Sequence, residues 1–143
     1  MKAEEVSSYI REWLADYLKS TGLSGFVVGI SGGIDSALVS SIASKISKEK
    51  IKTFTVGFDN KKYDESIVAE QFSKIIGSEH TVTICKPENF LEMLPLLIKV
   101  YDEPFGDSSA IPTILVSRLA KKEVTVALSA DAGDEIFCGY QSY

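Results

Sequence analysis

A chain of 143 residues, 45% hydrophobic and 24% charged, suits a single globular core that needs neither disulfides nor metal to hold it together. A formal net charge of −5 and a pI near 4.9 exclude a general nucleic-acid binder, which would present a basic face. Cys85 and Cys138 lie far apart with no CxxC partner, and no apolar run is long enough to span a bilayer, so a reduced cytoplasmic setting without membrane or nucleic-acid partners is expected.

Between Ala3 and Ser20, the residues Val6, Tyr9, Ile10, Trp13, Leu14, Tyr17 and Leu18 recur at spacings of three and four, as an amphipathic helix requires, and Gly22 and Gly25 end it. The run FVVGIS, 26 to 31, is short, apolar and β-branched, like a strand buried on both faces of a parallel sheet. Ile34 to Lys48 is helical in pattern, with Leu38, Val39, Ile42, Ala43 and Ile46 on one side. IKTFTVGF, 51 to 58, predicts a second strand, followed by the polar cluster DNKKYD, in which Lys61 and Lys62 form a solvated turn. Ile67, Val68, Phe72, Ile75 and Ile76 mark a helix closed by Gly77. EHTVTIC, 79 to 85, predicts a third strand, where the single His80 has a surface or packing role. Pro87 opens a helix that runs to about Val100 and is interrupted by Pro95. After the polar loop YDEPFGDSSAIPT a helix runs from Ser109 to Lys122, and VTVALSA, 124 to 130, predicts a fourth strand.

Strands alternating with helices predict right-handed βαβ units. The expected fold is α/β: one Rossmann-like, doubly wound parallel sheet over residues 1–143, strand order 3-2-1-4, with helices on both faces. In such sheets a ligand lies beyond the carboxyl ends of the strands, where the strand order reverses. That point falls between the first and fourth strands and sets SGGIDS, 31 to 36, beside SADAGDE.

In SGGIDS, Gly32 and Gly33 let an anion approach the main chain, and the first N–H groups of the following helix point at it. Ser31 and Ser36 add hydroxyls. Asp35 suits a phosphate only through a cation, which Mg²⁺ would supply. The stretch is neither a Walker motif nor GxGxxG, and its bland alternative is a plain strand-to-helix turn. SADAGDEIFCGY, 129 to 140, brings Asp131, Asp134 and Glu135 together; Asp134 facing Asp35 would make a Mg²⁺ clamp on pyrophosphate, while the alternative is acids complementing a helix macrodipole. In the polar loop, Asp102, Glu103, Asp107 and Ser108 are candidates for substrate contacts, and Asp107 or Ser108 serves equally well as an N-cap. The cysteines read as packing residues, Cys138 being closer to the acidic segment.

SGGIDS resembles the SGGxDS signature of the PP-loop ATP pyrophosphatases, which bind ATP, adenylate a substrate and release pyrophosphate. Within that superfamily, the first 45 residues, with WLADYLKSTGLSGFVVGISGGIDSALV, look like ammonia-using NAD synthetase. From TFTVGFDNKKYDES onward, YDEPFGDSSAIPTILVSRLAKKEVTVALSADAGDEIFCGY looks like the synthetase domain of asparagine synthetase, and this longer match decides the reaction type. The resemblance implies that Asp35 and Asp134 hold Mg²⁺ on ATP, that Ser31, Gly32, Gly33 and Ser36 cradle its phosphates, and that the main chain at Val56, Gly57 and Phe58 meets adenine. It likewise assigns Ser129 to the adenylate, and Asp131 with Asp134 to catalysis near the reacting carbonyl. The implied reaction turns a small-molecule carboxylate into an acyl-adenylate that ammonia converts to an amide. Lys2 stands where a glutaminase domain would expose its nucleophilic Cys, and the chain stops at Tyr143, where the family continues into a helical region. A separate glutaminase, a C-terminal partner or self-association is therefore expected. Ala130 and Ala132 replace glycines usual in the family. The rival readings are a module that holds ATP or AMP without turnover, and an NAD synthetase-like enzyme.

Overall fold

The computed structural model describes residues 3–22, 26–31, 33–101, 106–124 and 126–131. The helical and strand periodicities emerge in the chain order α1 (Ala3–Thr21), β1 (Val27–Gly29), α2 (Ile34–Ile46), β2 (Lys52–Phe58), α3 (Ser66–Ile76), β3 (Glu79–Cys85), α4 (Pro87–Val100) and α5 (Ala110–Glu123). β1, β2 and β3 form a parallel sheet in that order, with Val28 opposite Thr53 and Thr53 opposite His80. Each parallel step needs a crossover, which α2 and α3 provide.

The expected first strand is reduced to three residues, but its ladder reaches further, because Lys52 N–H donates to Phe26 O (3.2 Å) and Ile30 N–H to Phe54 O (2.9 Å). On its other side, β1 makes one parallel bridge, Val28 to Leu128, and Gly29 N–H donates to Leu128 O at 3.1 Å. Among the described residues that bridge is all that forms of the strand expected over 124–130; a neighbour only three residues long offers it few groups to pair with.

Three apolar clusters hold the layers together. Leu14 of α1 packs with Phe26, Val28, Ile42, Ala43 and Ile51. Cys85, Met93, Ile111 and Ile114 join β3 to α4 and α5, and Phe54 packs against Ala120 of α5. Lys52 and Glu123 add an ion pair at 2.7 Å between the start of β2 and the end of α5.

α3 is the helix that its apolar residues mark, and small side chains form its buried face. Ile67, Val68 and Ile75 are 62%, 54% and 80% exposed, and Ser66, Ala69 and Ser73 are the buried residues. Small side chains at this spacing let the helix lie close to the sheet, where larger ones would hold it off. Gly77, at φ 70°, closes the helix as expected, with Ser78 N–H donating to Ser73 O at 3.0 Å. Gly22, at φ 67°, likewise ends α1, while Gly25 lies outside the described residues. Pro95 does not interrupt α4. It and Leu91, four residues earlier, are exposed, so the carbonyl deprived of an amide partner lies on the solvent side.

His80 has the packing role expected of it. Its Nδ1 lies 2.9 Å from Thr53 Oγ1, which is also 2.9 Å from Ser78 Oγ, and its buried Nε2 has no partner. Burial pushes the ring's pKa below its ordinary 6.5, against the opposing pull of Glu70 and the Thr53 contact. The folded state therefore favours the neutral ring: its contribution is complete above the unfolded value and is lost as pH falls through the lower folded one.

Two outcomes follow for stability. Leu14, 1% exposed at the centre of the first cluster, should cost about 2–5 kcal/mol on replacement by alanine, measured as a shift in urea unfolding at constant m. Because His80 is the only histidine, the stability difference between wild type and His80→Gln should move against wild type as pH is lowered from about 7 to about 5. A difference constant over that range would contradict the assignment.

Candidate functional site

Parallel pairing in register brings the carboxyl ends of β1, β2 and the Leu128 segment to one edge of the sheet. Ser31 leaves β1 there, Asp59 leaves β2, and Ser129 follows Leu128. β1 stops at Gly29, opposite Phe54, whereas β2 continues to Phe58, so residues 55–58 run past the last β1 partner. The second strand thus has an open main-chain edge beside the loop that leads into α2.

That loop is braced by hydroxyls. Thr55 Oγ1, buried on β2, donates to Ile30 O at 2.5 Å and fixes the point where the chain leaves the sheet. Ser36, 4% exposed, accepts from Ser31 N–H (3.2 Å) and donates to Gly33 O (3.1 Å). Its oxygen is also 3.2 Å from Ser31 Oγ, which accepts from Gly33 N–H at 3.3 Å. One assignment of protons satisfies all four contacts, with Ser31 Oγ–H donating to Ser36 Oγ. Ser40 Oγ ties the next turn by donating to Ser36 O at 2.6 Å. The two serines expected to face phosphate therefore bond within the loop, directly before the first turn of α2. Asp35 is half-buried in that turn.

At the end of β2, Gly57 has no room for a side chain: a Cβ would lie 2.8 Å from Ile84 Cδ1, 3.0 Å from Asp64 Oδ1 and 3.1 Å from Ser66 Cβ. The same Asp64 oxygen accepts Phe58 N–H at 3.2 Å and Ser66 N–H at 3.1 Å. Sequence reasoning passed over Asp64. An aspartate two residues before a helix is an N-terminal signal, but nothing local shows that it also reaches back to a strand.

The remaining candidates divide. Ser129 and Asp131 are exposed just past Leu128, where Asp131 N–H donates to Ser129 Oγ at 3.3 Å. The Asp107 carboxylate accepts Ser109 N–H at 2.8 Å and Ser109 Oγ at 2.7 Å, and its carbonyl accepts Ala110 N–H at 3.3 Å, while Ser109, and neither Asp107 nor Ser108, is the N-cap of α5. The Ser109 hydroxyl, then its amide, hold that carboxyl below the usual carboxylate range. Ser108 is exposed. Cys85 is a buried free thiol whose pKa is raised by burial. Gly32, Asp102, Glu103, Asp134, Glu135 and Cys138 lie outside the described residues. Among the described residues, no three His, Cys, Asp or Glu side chains gather as a metal-binding group, and no helix is long and apolar enough to cross a membrane.

The comparisons with known proteins bear on this edge of the sheet. Residues 10–143 match the family described as asparagine synthase. The chain is 40% identical over 114 residues to asparagine synthetase [glutamine-hydrolyzing] 1 of Bacillus subtilis (strain 168), covering 80% of this chain and 18% of that protein. It is 38% identical over 136 residues to putative asparagine synthetase [glutamine-hydrolyzing] 2 of Methanocaldococcus jannaschii, covering 93% of this chain and 26% of that one. The chain thus spans about a fifth to a quarter of these relatives' length. In three dimensions it is similar to an NH3-dependent NAD synthetase from Campylobacter jejuni, with a TM-score of 0.66 at 20% identity over 98% of this chain and 61% of that one, a likeness of fold. The family match takes in the braced loop after β1, the open end of β2 and the acidic segment after Leu128 in one continuous stretch, and by that match the chain belongs to the asparagine synthase family.

Proposed function

We propose that this chain is the ATP-binding, adenylating part of an asparagine-synthetase-type ligase. The observation that carries the reading is the hydroxyl-braced loop of residues 31–36 standing beside the open end of β2, in a member of the asparagine synthase family. A carboxylate oxygen of the substrate attacks the α-phosphorus of ATP, the bond to pyrophosphate breaks, and ammonia then displaces AMP from the acyl carbon to give an amide.

Each part of the chain has a task in this scheme. The first-turn amides of α2, with Gly32 and Gly33, hold the pyrophosphate oxygens, and Ser31 and Ser36 keep those amides in place. The main chain at Val56, Gly57 and Phe58 meets adenine, supported by the absence of a β1 partner beyond Phe54. Ser129 contacts the adenylate, and Asp131 stands near the reacting carbonyl. Asp102, Glu103 and Ser108 contact the acceptor, with Asp107 shaping their loop through its bonds to Ser109. Carboxylate oxygens suit Mg²⁺, and Asp35 with Asp134 would hold it. When bound, the ion neutralises phosphate charge.

The complete sheet in this reading has order 3-2-1-4 and is doubly wound. The Leu128 bridge on the free side of β1 supports the fourth position. Alternation along β2 supports helices on both faces, with Thr53 turned towards Ser78 and His80 and Phe54 towards α5. The chain works in the cytoplasm as one domain with a small carboxylate and ammonia. The nitrogen reaches it from a glutaminase unit, in keeping with the glutamine-hydrolysing relatives, and a C-terminal partner or a second copy covers the site.

Nucleotide titration tests the assignment. ATP should bind with Mg²⁺-dependent affinity, Asp35→Ala should lower that affinity by about tenfold or more and flatten its Mg²⁺ dependence, and Ser36→Ala should weaken binding by disordering the loop. Asp35→Ala with unchanged Mg²⁺-dependent affinity would sink the metal assignment. Pyrophosphate release should answer to aspartate with ammonia; a response to deamido-NAD instead would favour the NAD synthetase reading, and binding without turnover the inert module.

A further inference from the structure

The end of β2 is the one part of the proposed nucleotide site whose main chain is not fixed by a second strand on the β1 side. The turn that follows, residues 59–63, is exposed and is held within itself, through Lys62 N–H to Asn60 Oδ1 (3.0 Å) and Tyr63 N–H to Asn60 O (2.9 Å). Asp64 is the residue that carries order back from α3 to the strand. Its Oδ1 receives Phe58 N–H and Ser66 N–H together, and Gly57, lacking a Cβ, lets Asp64, Ser66 and Ile84 close over the strand. We propose that Asp64 is a positioning residue for the nucleotide: by strapping the last amide of β2 to the start of α3, it fixes the main chain at Val56 to Phe58 in the shape that receives the base.

The strap has two separable functions. Accepting Ser66 N–H is a local turn that starts α3, which a serine or asparagine at 64 also makes. Accepting Phe58 N–H, six positions back, requires the reach of Asp or Asn. The carboxylate stays ionised well into acid, because the Ser66 hydroxyl first, then the Ser66 amide and, further down, the Phe58 amide hold its pKa below the usual range. The strap therefore persists as pH falls through the ordinary carboxylate range.

The inference rests on the nucleotide reading above, and the experiment separates the two. ATP affinity and amide hydrogen exchange at Phe58 are measured in the full chain for wild type, Asp64→Asn and Asp64→Ser, at a temperature where unfolding curves show all three folded. Asp64→Asn should keep Phe58 protected and ATP affinity within about threefold of wild type, whereas Asp64→Ser should expose Phe58 to exchange and weaken ATP by about tenfold with α3 intact. Wild-type affinity in Asp64→Ser, or protection of Phe58 unchanged by it, overturns the positioning role and leaves the nucleotide reading standing. A wild-type protein that binds no ATP overturns the nucleotide reading and this inference with it.

Discussion

The parallel pairing of Val28, with Thr53 on one side and Leu128 on the other, fixes where Ser31, Asp59 and Ser129 leave the sheet. Because the three segments run the same way, their carboxyl ends share one edge, and Ser31 and Ser129, about a hundred positions apart in sequence, leave the sheet on the same side. β1 is short, and that matters as much as its direction. Had it continued to the length of β2, its own amides would have filled the open edge beyond Phe54; instead the chain turns away after Ile30 into α2. The turn sets two main-chain features side by side, the first turn of a helix and, among the described residues, a strand end with no strand partner beyond Phe54. One suits an anion and the other a flat group with hydrogen-bonding edges.

Small polar side chains make this arrangement rigid. Ser36, Ser40, Thr53, Thr55, Ser66 and Ser73 are the buried polar residues. Ser36 and Thr55 secure the departure from β1, Ser40 bonds one turn further along α2, and Ser73 donates to Glu70 O at 2.7 Å within α3. A buried hydroxyl with its partners in place adds directional restraint that an apolar contact of the same size lacks, and here the restraint is concentrated around the loop. It also accounts for α3, whose seam against the sheet is made by Ser66, Ala69 and Ser73, leaving Ile67, Val68 and Ile75 outside.

The sequence displayed its helices and strands well where periodicity was long and capped, as from Ala3 to Thr21 or across Lys52 to Phe58 and Glu79 to Cys85. It misled where a rule of local preference met a tertiary answer. Pro95 disfavours helix but sits on an exposed side of one, where the carbonyl it leaves without an amide partner faces solvent. In the site, glycines and hydroxyls of SGGIDS pointed to an anion loop, but not to the inward bonding of Ser31 and Ser36, which depends on how the chain turns between them. Asp64 was legible as a helix signal and illegible as a strap, since its second partner is fixed only once β2 and α3 are packed.

The likeness to NAD synthetase sharpens what fold and motif each decide. In sequence that resemblance reaches well beyond the first 45 residues, one NH(3)-dependent NAD(+) synthetase being 27% identical over 96% of this chain, and in three dimensions the likeness covers 98% of the chain at 20% identity. The shared scaffold therefore accounts for the loop after β1 and the parallel edge. What separates one substrate from another must lie in the segments that the scaffold presents and does not dictate: the turn after β2, the loop before α5 and the acids after Leu128. These are the regions where the match to asparagine synthetases continues past residue 45 to residue 143. A scaffold common to two chemistries needs its strand ends held still while those segments vary, and a carboxylate that ties Phe58 to the first turn of α3 meets that need.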